Sequence, residues 1–306
     1  MTLRPLFLKI ATICLFGAAL AANAAEPFRL LTVGNSFADN AVFFLPKLAK
    51  AADKDIIIYK ANLGGHSLEQ HAGYLQAYLQ DPTDPKGRPY PALAGKEKVS
   101  LPEALKSQKW DAVTIQQYSR KSPDASTYEP FATQLIAEIR KDAPQAKIFV
   151  YQTWAYREDS PTFKEGNTQA KMYESLKAAY QTLAQKHGLP IIPVGTAFQN
   201  ARATEQWTFK FPDPAFDYKN PPANARPDQK GSLNMGWNWI KDKEGKVKFA
   251  LDANHANEAG RYLAACVFFE VLFGQSVLDN TFVPESLTPE QAAQLRQIAH
   301  ETVAAQ

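Results

Sequence analysis

The stretch Leu30 to Phe44, LLTVGNSFADNAVFF, ends an apolar run at Gly34-Asn35-Ser36 and begins a new pattern at Phe37. A serine in that place has two uses. Its hydroxyl can cap the helix that follows, because Ser and Asn accept hydrogen bonds from the orphan N–H groups of a first turn. It can also act as a nucleophile, for which it needs a base. The sequence holds five histidines. His187 precedes Gly188 at the end of a predicted helix, where a cation favours the helix dipole, and His300 lies in the terminal helix and is expected at the surface. His66 and His71 flank a predicted turn and could line a cleft. His255 lies in LDANHAN, residues 251–257, a polar segment predicted to be a loop, with Asp252 three residues before it. That spacing lets one turn bring the carboxylate to the imidazole Nδ1, fixing the tautomer and stabilising the imidazolium that forms when Nε2 takes a serine proton. An aspartate cap beside a satisfied histidine fits the same four residues.

Other chemistries lack their parts. The chain has no His-x-x-x-His, its carboxylates are scattered, and its two cysteines, Cys14 and Cys266, are far apart, so no metal site is expected. Gly64-Gly65 lacks the further glycine or lysine of a phosphate-binding loop. No cofactor is expected.

The elements that would position these residues alternate. Strands are predicted at Leu30–Val33, Asp55–Ala61, Trp110–Gln116, Lys147–Gln152 and Pro190–Val194. Helices are predicted over about 40–52, 68–80, 131–141 and 164–187, with another opening near Thr196. Strands rich in Ile, Val and Leu on both faces, separated by helices, specify an α/β three-layer sandwich with a mostly parallel five-stranded sheet. Ligands bind at the carboxyl ends of such strands, and Ser36, Gly64-Gly65 and Gln116-Gln117 all fall there. The rhythm breaks at about 206–249, where Pro212, Pro214, Pro221, Pro222 and Pro227 precede a predicted β-hairpin around the Lys243-Glu244-Gly245 turn. This reads as an insertion on the core. A strongly apolar helix, Glu258–Phe273, and an amphipathic one, Pro289–Ala305, follow.

Composition narrows the setting. Arg4 and Lys9 precede the apolar stretch Ile10–Ala22, and Asn23-Ala24-Ala25 offers an A-x-A cleavage site, so residues 1–25 read as a secretory signal too short to span a bilayer. The mature chain, 26–306, is expected to be one domain, exported to the periplasm or beyond, with no stable membrane insertion. Cleavage would leave Cys266 as its only cysteine, so no internal disulfide is available and stability must come from the core. Losing Arg4 and Lys9 takes the formal charge from +3 to +1. A near-neutral chain without a basic tract is a poor partner for nucleic acid or anionic membranes.

Taken together, Gly34-Asn35-Ser36-Phe37 after strand one, Gly65 after strand two, paired glutamines after strand three and Asp252-x-x-His255 near the C-terminus form an ordered set. It resembles the SGNH hydrolases, the GDSL-like esterase and lipase superfamily, and most of all the secreted bacterial branch that begins Gly-Asn-Ser-Phe. The likeness runs from about residue 28 to 280, with Trp110-Asp111, Tyr151 to Ala155 and Gly260 to Leu263 also similar. It implies a flavodoxin-like fold, Ser36 as nucleophile and its N–H as one oxyanion donor, Gly65 N–H as a second, His255 as general base and Asp252 as its orienter. The family's third block supplies an asparagine from Gly-x-Asn-Asp. Here Gln116-Gln117-Tyr118-Ser119 stands instead, and a glutamine amide can donate in the same way. Successive strand residues point to opposite faces, so Gln116 and Gln117 both remain candidates. Asn35, His66, Tyr118 and Trp154 are expected to contact substrate.

The resemblance implies acyl transfer through Ser36. Aromatic residues near the predicted site and in the insertion suit sugar rings, and exported members of the superfamily often remove acetyl groups from carbohydrates. A small-molecule or carbohydrate ester is therefore the expected substrate. A lipid or aryl ester is an alternative, as is a non-catalytic glycan-binding protein on the same fold.

Overall fold

The computed structural model describes residues 26–306 apart from 94, 165, 211, 212 and 243. The expected signal segment lies outside the described residues. Five strands, β1 (Phe28–Gly34), β2 (Ile56–Asn62), β3 (Ala112–Ile115), β4 (Lys147–Tyr151) and β5 (Ile191–Ile192), form one parallel sheet in the order β2-β1-β3-β4-β5. Leu30 pairs with Ile58 on one side and Ala112 on the other. Because strand side chains alternate, Leu30, Phe149 and Tyr151 enter one core while Leu31, Val33, Val113 and Val150 enter a second. Helices α1 (Ser36–Ala41), α2 (Leu45–Ala51), α7 (Val194–Arg202), α8 (Glu258–Phe273) and α9 (Pro289–Ala304) close the first. Helices α3 (Leu68–Gln80), α4 (Leu101–Lys106), α5 (Phe131–Asp142) and α6 (Gln169–His187) close the second. This is the three-layer α/β/α arrangement expected from the alternation. From β1 the chain steps to β2 on one side and then returns to β3 on the other, so the reversal of strand order falls at the carboxyl end of β1.

Three differences from the sequence reading matter for the site. The single helix expected over 40–52 is two helices. Asn35 caps α1 at Ser36, and Pro46, whose missing N–H costs nothing in a first turn, marks the start of α2. Helix α6 begins at Gln169, because the Thr168 hydroxyl accepts the Lys171 N–H and sets the cap there. The predicted loop at 251–257 is mostly strand: β7 (Val247–Ala256) pairs antiparallel with β6 (Asn234–Lys241), placing Gly236 opposite Asp252. Among the described residues no helix is long and apolar enough to cross a membrane. Cys266 is a free thiol buried in α8, and its burial pushes its pKa up.

Candidate functional site

Ser36 is the first residue of α1. The preceding Asn35 fixes it there by accepting the Phe37 N–H on its side-chain Oδ1 at 3.0 Å. A residue at that helical position keeps its own N–H outside the helix ladder, and the Ser36 N–H has no acceptor among the described residues. The serine Oγ lies 2.8 Å from His255 Nε2. His255 Nδ1 lies 2.8 Å from Asp252 Oδ2, and Asp252 Oδ1 accepts the backbone N–H groups of Asn254 at 3.1 Å and His255 at 3.0 Å. Burial would raise the Asp252 pKa, but the hydrogen bonds from the His255 ring and the two N–H groups outweigh it and hold the carboxyl below its usual value. A charged carboxylate on Nδ1 keeps the proton there and leaves Nε2 as the acceptor for the serine hydroxyl. The His255 side chain is 37% exposed, so a ligand can reach the pair from solvent.

Several contacts hold the histidine strand in place. Ala256 N–H donates to Asn40 Oδ1 at 2.9 Å, tying β7 to α1. Arg157 N–H donates to Ala253 O at 2.9 Å, and its guanidinium, almost wholly buried, grips Asp159 through two bonds of 2.7 and 2.8 Å. Trp154 donates its indole N–H to Asn254 O at 2.8 Å and stacks between Phe37, with ring centroids 4.5 Å apart, and Phe198, at 4.6 Å. The Trp154 side chain has no exposed surface. It supports the histidine from behind and is not a substrate contact, which corrects the expectation drawn from its place after β4. The support from Asn40 and Arg157 was missed. A polar residue at a helix position that otherwise packs inward was a signal for Asn40, whereas nothing in the sequence marked Arg157.

Asn35 is also buried, 1% exposed, and every polar atom of its amide is used. Its Oδ1 accepts Gln116 Nε2 at 3.0 Å as well as the Phe37 N–H, and its Nδ2 donates to His66 O at 2.9 Å. It therefore joins the ends of β1, β2 and β3, and it is a positioning residue, not the substrate contact expected. The glutamine N–H groups are likewise engaged. Gln116 gives its second amide hydrogen to Gln117 O at 3.3 Å, and Gln117 Nε2 donates to Thr127 O at 2.8 Å and Thr127 Oγ1 at 3.2 Å. Gln117 Oε1 accepts the N–H groups of Leu68 and Tyr118. Neither glutamine has an N–H to spare for an oxyanion, a departure from the expected role: Gln117 satisfies buried backbone, and Gln116 is turned to the Asn35 side chain and Gln117 O, with its own Oε1 buried and without a partner among the described residues. Gly34 explains how Gln116 reaches so close, since a Cβ there would sit 2.8 Å from the glutamine Cγ.

Gly65 lies in the turn after β2 with φ of +72°, a left-handed conformation that glycine adopts without cost, and its N–H has no acceptor among the described residues. Next to it, half-buried His66 donates Nδ1–H to Gly64 O and accepts the Tyr74 hydroxyl, each at 2.9 Å, which leaves the ring on the rim. Tyr118 is half-buried at the end of β3. His71 is different from both. It is fully buried, donates Nε2–H to Gly34 O at 2.9 Å and accepts the Tyr90 hydroxyl on Nδ1 at 2.8 Å. Burial lowers its pKa to about 4. An unfolded chain would protonate this histidine near pH 6.5, so stability tied to it is complete above that value and declines as pH falls toward 4. The total is about 3 kcal/mol. Melting temperature is expected to drop more steeply between pH 6.5 and 4.5 in the native protein than in His71→Gln, and parallel curves would sink this assignment.

Among the described residues no group of three or more His, Cys, Asp and Glu could hold a metal ion. The arrangement can instead move a proton from a serine to a histidine beside two unpaired N–H groups.

A family model described as a domain of unknown function, DUF4886, matches residues 29–211 and 239–302. No curated protein matches the chain. Among solved structures, a DUF4886 family protein from Bacteroides uniformis is similar over 91% of this chain and 95% of its own, at 26% identity and a TM-score of 0.67. A protein from Slackia heliotrinireducens described as a candidate SGNH hydrolase is 22% identical over 80% of this chain and 98% of its own, with a TM-score of 0.48. The lipase/acylhydrolase from Enterococcus faecalis is 11% identical over 81% and 96%, with a TM-score of 0.45. With most of the parallel-sheet core and both ends of the serine–histidine contact inside the matched ranges, the chain belongs to the DUF4886 family.

Proposed function

We propose that the protein is an exported serine esterase that removes small acyl groups, acetyl above all, from carbohydrates. The observation that carries this reading is the unbroken chain from Ser36 Oγ through His255 to Asp252, two contacts of 2.8 Å each. In the reaction His255 Nε2 takes the serine proton as Ser36 Oγ attacks the ester carbonyl. The Ser36 and Gly65 N–H groups, left free at a helix start and a glycine turn, donate hydrogen bonds to the carbonyl oxygen as negative charge develops on it. His255 then returns its proton to the departing alcohol, and water repeats the sequence on the acyl-serine to release the acid. Asp252 keeps the imidazole in the tautomer this requires.

A carbohydrate is favoured because aromatic rings cluster on the hairpin that carries Asp252 and His255. Trp237 stacks on Phe249 with centroids 5.3 Å apart, and Tyr218 lies 5.0 Å from Trp237, all of them half-buried. Export follows from the signal-like residues 1–25. Covalent labelling by a fluorophosphonate, absent in Ser36→Ala, is the direct test. A non-catalytic glycan-binding protein would show no labelling. A panel of acetylated sugars against short aryl and lipid esters then sets the substrate class. Because each step is served by a side chain or an N–H group of the chain, turnover is expected to survive EDTA and reductant unchanged. Activity lost in EDTA and restored by zinc or calcium would overturn the mechanism.

A further inference from the structure

A cleft of about 350 Å³ opens at the carboxyl edge of the sheet, lined by the segments that leave β3 and β4: Ser119, Arg120 and Tyr156, then Phe163, Lys171 and Met172 beyond them. It occupies the edge of the sheet where the strand order places ligands, one strand away from the end of β1. Its wall is fixed. The Ser119 and Tyr156 hydroxyls meet at 2.8 Å, and Tyr156 N–H points at Met172 Sδ at 3.5 Å. Tyr156 is also two residues from Trp154, which backs Phe37 and His255, and next to Arg157, whose N–H holds the histidine strand. The wall of the cleft and the support of the histidine are thus one stretch of chain.

The lining has a one-sided charge. Among the described residues it includes two cations, Arg120 and Lys171, and no carboxylate. Arg120 lies against the Tyr156 hydroxyl, and Lys171 Nζ donates to Gly166 O at 2.7 Å. Among the described residues neither forms an ion pair, whereas their neighbour Lys121 pairs with Glu69 at 2.5 Å. Two unpaired cations over an aromatic wall with hydroxyl groups have the parts for one kind of ligand. Aromatic faces pack the apolar side of a sugar ring, hydroxyls meet its hydroxyls, and a guanidinium with an ammonium binds a carboxylate.

We infer that this cleft is a subsite for a carboxylate-bearing sugar, so that the ester's alcohol portion is a uronic acid unit. The inference deepens the esterase reading and rests on it for the word ester, but the subsite itself can be tested without turnover. Binding of methyl β-D-glucuronoside and methyl β-D-glucoside, which differ only in the C6 carboxylate, is measured by calorimetry on the intact protein. The glucuronoside is expected to bind at least tenfold more tightly, and the Arg120→Ala/Lys171→Ala double variant is expected to erase the difference. Both side chains are exposed, and the milder Arg120→Gln/Lys171→Gln pair serves if the alanine variant is unstable. Acetylated forms of the two glycosides should show the same preference in kcat/KM, lost in the double variant while turnover of 4-nitrophenyl acetate stays unchanged. Equal binding of the two glycosides, or a preference that survives the double substitution, overturns the subsite. Carboxylate-dependent binding without turnover of any acetyl ester would uphold the subsite and sink the esterase reading instead.

Discussion

Replacing Ser36 with alanine is expected to lower kcat for acetyl-ester hydrolysis at least a thousandfold, and His255→Ala should cost about the same. The two act as a unit, so the double variant should lose little more than either single one. The 2.8 Å contact between Ser36 Oγ and His255 Nε2 is the reason: without the base the hydroxyl keeps its proton, and without the hydroxyl the base has nothing to activate. Asp252→Asn is expected to cost less. The base remains, but an amide can donate to Nδ1 and set the wrong tautomer. Because Ser36, Asp252 and His255 are all partly exposed, melting temperatures should stay close to the native value. Purified Ser36→Ala that still turns over acetyl esters at the native rate would end the esterase reading.

Asn35 offers the second large effect, and it separates positioning from direct donation. Its side chain holds the start of α1, the His66 carbonyl beside Gly65, and Gln116. In Asn35→Ala three buried partners lose their bonds at once, with a stability cost of about 3 kcal/mol. In Asn35→Asp the two bonds accepted by Oδ1 survive, but a carboxylate oxygen faces the His66 carbonyl and the strap to the Gly65 turn is gone. A displacement of the oxyanion donors by about 1 Å is worth about a hundredfold in rate. The aspartate variant should therefore lose about a hundredfold in kcat with KM nearly constant. Gln117→Ala, which releases Leu68, Tyr118 and Thr127, should lower the melting temperature and spare the rate. If Gln116→Ala loses the rate while Asn35→Asp keeps it, the glutamine donates directly and the strap is unimportant.

The parallel sheet and its faces were legible because the strands are short runs rich in branched apolar residues and every crossover between them is helical. That the serine, the histidine and its aspartate meet was legible for a different reason: each is a polar residue placed where a strand ends or a loop was expected. The roles of Asn35, Gln116 and Trp154 were not. Which of two glutamine amides faces a site, and whether an indole packs outward or inward, depends on bonds to residues up to a hundred positions away, such as Trp154 to Asn254. No local pattern encodes them. The break between α1 and α2 was legible in principle, since Pro46 marks a first turn, but the apolar periodicity runs across it.

The contact between Ser36 and His255 spans 219 residues of chain, and the neighbouring bond from Ala256 to Asn40 spans 216. Contacts of such separation close late, because a long loop must be ordered before they repay the cost. The turn at Ser36 is built from nearby residues, yet His255 arrives only with about the last sixth of the sequence. Under the esterase reading, hydrolysis therefore needs the chain as far as His255: a polypeptide that ends before residue 255 carries a serine without its base.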